Sequence, residues 1–157
     1  MKLESSHHFK APRDRVWAAF NDPAVLARVT PGLQTLEAVG PDEYRAALSV
    51  GVAAVKGSYQ GKLAIVDKRP PESYTLQVEG NGRGGFVKGV GHVMLVESDG
   101  GTLATIQGDA QVGGLIAAVG QRLIESAARM MMTQFLSALD AEVARAPGDA
   151  PDGSRTG

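Results

Sequence analysis

The chain has no cysteine among its 157 residues. Disulfides, thiolate nucleophiles and cysteine-based metal sites are therefore excluded together. No apolar run approaches the roughly 20 residues needed to cross a bilayer. The N-terminus also lacks the charged-then-apolar pattern of a secretory signal, so the expected location is cytoplasmic, with at most peripheral contact at the inner membrane face. A net charge of −1 gives no basic footprint for nucleic acid. The histidines are His7, His8 and His92, without a His-x-x-x-His pair to hold a metal. His7 and His8 are neighbours on a strand and must point to opposite faces, so only one of them can face inward. Ser5, Ser6 and Ser58 stand outside any Gly-x-Ser-x-Gly nucleophile elbow. "GNGRGG", Gly80 to Gly85, lacks the helix and the Lys-Ser/Thr pair of a phosphate loop.

Aromatics are sparse at 5%, while glycine reaches 20 residues. Those glycines fall inside strand-like segments, where they mark bends, bulges or spare room. Hydrophobic content of 43% and charged content of 21% suit a single globular domain. That domain is expected over residues 1–145, with 146–157 as a disordered polar tail.

The pattern of elements is a strand over Lys2 to Lys10, then two short helices, the first opened by Pro12 and the second running from Pro23 to Arg28. From Leu33 the hydrophobic period changes from 3.6 to 2. Strands follow at Leu33–Val39, Tyr44–Val52, Ser58–Lys68, Tyr74–Val78, Phe86–Glu97 and Thr102–Val112, joined by hairpin turns. Leu115 to Ala144 then reads as one helix, about 45 Å long. Its expected apolar face carries Ile116, Val119, Gly120, Leu123, Ala127, Met130, Met131 and Gln134. Arg122, Glu125, Arg129, Thr133 and Asp140 gather opposite. The fold class is α+β: a curved, seven-stranded antiparallel sheet wrapped around a long C-terminal helix, with two short helices after the first strand.

Five stretches carry a family resemblance over most of the chain. They are "AFNDPAVLARVTPG" (Ala19 to Gly32), "VGVAAVKGSYQGKL" (Val50 to Leu63), "PPESYTLQVEGNGRGGFVKG" (Pro70 to Gly89), "DAQVGG" (Asp109 to Gly114) and "GQRLIESAARMMMTQF" (Gly120 to Phe135). In this order they resemble the CoxG family, named for the CoxG subunit of carbon monoxide dehydrogenase, within the helix-grip superfamily of START-like and Bet v 1-like proteins. The resemblance implies a hydrophobic cavity between sheet and helix. It also implies a role beside a molybdenum-containing carbon monoxide dehydrogenase or related molybdenum hydroxylase, in recruitment or electron-acceptor delivery. It supplies no catalytic set. Two departures stand out: Val29-Thr30-Pro31-Gly32 has no cysteine where the family has a Cys-x-Pro-Gly turn, and the chain ends in a polar run where some members have an apolar segment.

Small residues at inward positions point the same way from the residues alone. Ala46, Gly61, Gly108, Ala110, Gly120 and Ala127 sit where a solid core would take Leu, Ile or Phe. Either the sheet curls tighter and the helix packs closer, or space remains for an apolar ligand. The expected lining takes Trp17 and Phe20 from the first helix, and Leu48, Val50, Tyr59, Leu63, Tyr74, Leu76, Phe86, Ile106 and Ala110 from the sheet. Ile116, Gly120, Leu123, Ala127 and Met131 complete it from the last helix. The expected activity is non-catalytic binding of a lipid or quinone-like molecule, with no other cofactor and no metal. Two alternatives stay open: a small cyclase- or hydrolase-type enzyme, which needs polar groups converging in the pocket, and a pure interaction module with a filled core. Val90, Met94 and Val96, beside His92, fall on the outer face as scattered surface residues or, alternatively, a homodimer contact.

Overall fold

Strict alternation of outward and inward side chains over Lys2–Phe9 builds β1, and Phe9 at its end is fully buried. Pro12, in extended conformation, caps α1 (Arg13–Phe20). Asp22 caps α2 (Pro23–Val29), its carboxylate accepting from the Ala24 N–H at 2.9 Å, with Pro23 in the first turn. Six strands follow: β2 (Leu33–Gly40), β3 (Glu43–Val50), β4 (Gly57–Arg69), β5 (Ser73–Gly82), β6 (Gly85–Ser98) and β7 (Gly101–Gly114). The structure, a computed structural model, describes residues 1–51, 55–82 and 84–145. The expected strand position of Val52 and the expected tail at 146–157 lie outside these residues.

The strands form one seven-stranded antiparallel sheet in the order β1-β7-β6-β5-β4-β3-β2. Sequential hairpins build β2 to β7, and β1 closes onto β7 with Phe9 opposite Thr102. Asp99 and Gly100, both at positive φ (47° and 77°), make the two-residue turn between β6 and β7. The glycine cluster is part of the ladder rather than a loop after it: Gly80, Asn81 and Gly82 extend β5, and Gly82 faces Gly85 across the hairpin.

The C-terminal segment is not one helix. Leu115–Val119 is a short 3-10 turn, and Gly120 breaks the chain at φ 99° before α3 (Gln121–Ala144) begins. The 24 residues of α3 span about 36 Å, so the helix is shorter than the pattern implied. Because the break uncouples the two segments, the large residues at the C-terminal end set the rotation of α3. Ile124, Ala127, Leu136, Leu139 and Val143 face in, while Leu123 and Met130 stay 54% and 47% exposed. Among the described residues no helix is long and apolar enough to cross a membrane.

Candidate functional site

The inner face of the sheet divides into two unlike ends. At one end Phe9, Val16, Phe20, Ile65, Tyr74, Val93, Leu95 and Ala104 close around Leu136, Leu139 and Val143 of α3. Phe20 meets Phe9 and Phe135 at ring separations of 6.1 Å, and Trp17 meets Tyr74 edge-on at 5.6 Å. Polar ties rivet the same half of α3. His7 Nε2 lies 3.0 Å from Asp140 Oδ2. Arg28 donates two hydrogen bonds to the Glu142 carboxylate, at 2.8 and 3.1 Å. The Arg15 guanidinium donates to the carbonyls of Val143 and Arg145 at the helix end. His7 is thus the inward histidine of its pair, and Asp140 is a tertiary contact rather than part of a solvated face. The Glu142 carboxyl is held below its ordinary value, chiefly by the hydrogen bond from Arg28.

The other end is built from small residues. Across the sheet Ala46 faces Gly61, Gly61 faces Gly80, Gly89 faces Ala110, and Gly91 faces Gly108. A methyl group added at Gly80, Gly91 or Gly108 would approach only a carbonyl oxygen of a neighbouring strand, at 3.7 Å or more, with no atom of α3 within 4 Å, and at Gly89 the three nearest atoms, from 3.4 Å, all belong to β7. The helix has therefore not closed onto these glycines. Ile124 and Ala127 of α3, Ile116 of the 3-10 turn and Ala46 of β3 are buried, but outside the packed cluster at the other end. Leu48, Val50, Tyr59, Val78, Val87, Val112 and Met131 stay half-buried between them. A cleft of about 480 Å³, bordered by Pro31, Gly32, Val50, Met130, Met131 and Gln134, opens between α3 and the end of β3. Among the described residues, the side-chain and cap ties of 121–134 are Ile124 N–H to the Gly120 carbonyl and Gln121 to Glu125, while Gly120 N–H bonds back to the Ala117 carbonyl of the 3-10 turn.

Of the expected lining, this end brings together Leu48, Val50, Tyr59, Ala110, Ile116, Ala127 and Met131. Leu63, Leu76, Ile106 and Trp17 are half-buried and pack against the closed core. Phe20 and Tyr74 belong to the closed core. Phe86 faces outward and is 44% exposed, because alternation back from buried Val93 and Leu95 turns the even-numbered residues of β6 to the outer face. Gly120 is exposed at the helix break, and Leu123 is rotated into solvent. Gly80, Gly89, Val78, Val87 and Val112 join the floor without having been expected there. Continuing the alternation of β5, β6 and β7 outward from Leu76, Gly91 and Ala110 would have found them.

A larger concavity lies elsewhere, an open trough of about 910 Å³ on the outer face. Its sides carry Glu43, Arg45, Lys62, Glu79, Lys88 and Asp109. Mixed charge open to water cannot desolvate an apolar ligand, so this trough is a solvated sheet face rather than the site. Among the described residues no three His, Asp or Glu side chains gather to hold a metal ion.

Residues 6–144 match the family model for CoxG, the CoxG subunit of carbon monoxide dehydrogenase. The chain belongs to the CoxG family. Solved structures place this CoxG-family chain in the START/Bet v 1-like fold. A conserved protein from Geobacillus kaustophilus is 35% identical, with a TM-score of 0.88 over 92% of this chain and 95% of that one. A START superfamily protein from Mycobacterium smegmatis is 13% identical, with a TM-score of 0.72 over 90% and 96% of the two chains. Ara h 8.0201 is 14% identical, with a TM-score of 0.67 over 91% and 97%. No curated protein matches the sequence.

Proposed function

We propose that this CoxG-family protein takes an apolar small molecule, a lipid or a quinone-like compound, into the cleft beneath the first half of α3. There it acts as an accessory to a molybdenum-containing carbon monoxide dehydrogenase or related hydroxylase, in recruitment or electron-acceptor delivery. The supporting observation is the floor of facing small residues, Gly91 opposite Gly108 and Gly89 opposite Ala110, where α3 supplies no atom within 4 Å of a methyl added at Gly91 or Gly108. A ligand that buries about 300 Å² of apolar surface there gains roughly 7 kcal/mol before ordering costs, without needing a charged partner. Met130 and Met131 at the mouth suit the passage of ligands of varied shape, because the unbranched thioether repacks easily. Membership of the CoxG family supports the choice of enzyme partner.

The decisive variant is Gly108→Leu. Gly108 lies in extended strand, where an added Cβ meets only the Val90 carbonyl oxygen, at 3.8 Å, so a larger side chain is accommodated without backbone strain and takes up the space over the floor. Native mass spectrometry of the wild-type protein is expected to show a co-purified apolar molecule. Gly108→Leu is expected to lack it while melting at the same temperature or higher. A Gly108→Leu protein that melts much lower and keeps the molecule would refute an open floor. Co-purification with a molybdenum hydroxylase from the native cell tests the partner separately.

A further inference from the structure

The residues bordering the cleft between α3 and the end of β3 include no charged side chain and only two polar ones, Ser49 and Gln134. Ser49 is exposed at an odd position of β3, whose inward positions are even, as buried Tyr44 and Ala46 show. Its hydroxyl therefore turns to the outer face. Gln134 stands on α3 one turn after Met130 and is exposed at the mouth. In the sequence it is the one polar side chain in the apolar stripe of the C-terminal segment. The next two residues of the helix, Phe135 and Leu136, already pack in the closed core. Gln134 thus stands where the packed half of α3 gives way to the cleft.

The side-chain amide of Gln134 has no hydrogen-bond partner among the described residues. It offers two donors and one acceptor oxygen. The polar end of a bound ligand would cost free energy if it lay unpaired over the floor, so it stays at the water-facing mouth. A carboxylate or phosphate end would need a cation there, and none borders this cleft. Arg129, one residue before Met130, borders a different hollow, where Glu4 and Asp109 offset its charge. An uncharged oxygen needs only one donor, which the amide supplies.

We infer that Gln134 is the specificity-determining residue of the cleft, holding an uncharged, carbonyl-type oxygen at the mouth while the apolar body of the ligand points inward. This rests on the binding reading above and adds the chemistry and the direction of the ligand. An apolar wall alone separates similar molecules poorly, whereas a hydrogen-bonding group discriminates by what it leaves unpaired.

The test is equilibrium dialysis of three probes of similar size, 2-acetylnaphthalene, 2-isopropylnaphthalene and 2-naphthoate, against wild-type protein, Gln134→Leu and Gln134→Glu. The side chain is exposed and makes no hydrogen bond among the described residues, so both variants are expected to melt with the wild type. Gln134→Leu is expected to lower ketone affinity about fivefold, the worth of one ordinary hydrogen bond, and to leave hydrocarbon affinity unchanged. Gln134→Glu keeps the length but only accepts, so the ratio of ketone to hydrocarbon affinity is expected to fall as it does with leucine. The wild type is expected to bind the ketone more tightly than the carboxylate. An unchanged ketone-to-hydrocarbon ratio in Gln134→Leu would make Gln134 a rim residue and overturn the assignment. Wild-type protein that holds the carboxylate as tightly as the ketone would overturn the uncharged end. Failure of all three probes to bind the wild type would remove the cleft reading itself, and the assignment with it.

Discussion

Thr102 shows what single residues disclose and withhold. In the sequence it is one β-branched strand residue after a turn, and nothing separates it from Thr105. In the structure it is fully buried, and its hydroxyl donates to the Ala11 carbonyl at 2.8 Å, tying β7 to the segment between β1 and α1. Thr102→Val keeps the shape and leaves that carbonyl unpaired. It is expected to cost about 1–3 kcal/mol in urea unfolding, with no change in ligand affinity. His7 was half legible: alternation puts one of His7 and His8 inward, but its partner Asp140 lies 133 positions away. Phe86 and Leu123 misled for a related reason. A large apolar side chain in a pattern looks like lining, but its direction depends on where the ladder and the helix acquire their phase.

At the scale of elements, strand order and hairpin turns were legible because period-2 alternation and Asp-Gly turns are local signals. The break at Gly120 was not, since an isolated glycine is tolerated within a helical pattern and its φ of 99° is fixed by the docking of α3. The ties of α3 are equally non-local. Glu142 contributes stability above the ordinary carboxylate range, and that contribution is lost as pH falls through its lowered folded value. Arg28→Ala is therefore expected to cost no more than about 1 kcal/mol at neutral pH, since the arginine is half exposed. The difference from wild type should vanish in acid, once the carboxyl is protonated. Urea midpoints followed from neutral to acid pH check this. A difference that persists in acid would assign Arg28 a packing role instead.

For the whole molecule, the two ends of the interior predict different stability. The C-terminal half of α3 is packed on Phe20 and Leu95 and tied at Asp140 and Glu142. The half over the glycine floor has no polar tie to another element among the described residues. Amide exchange is expected to be faster over residues 121–131 than over 132–144, and to slow there when an apolar probe binds. Equal protection along the helix would argue for a filled interior. The sequence by itself determined the sheet, the helix that lies on it and the family, because periodicity, turn chemistry and motif order are all written along the chain. It also put small residues at inward positions. Only the tertiary structure decided whether α3 would close onto them, because that depends on where the helix is held. The large side chains and ion pairs at its C-terminal end hold it, and no atom of α3 lies within 4 Å of a methyl placed at Gly91 or Gly108.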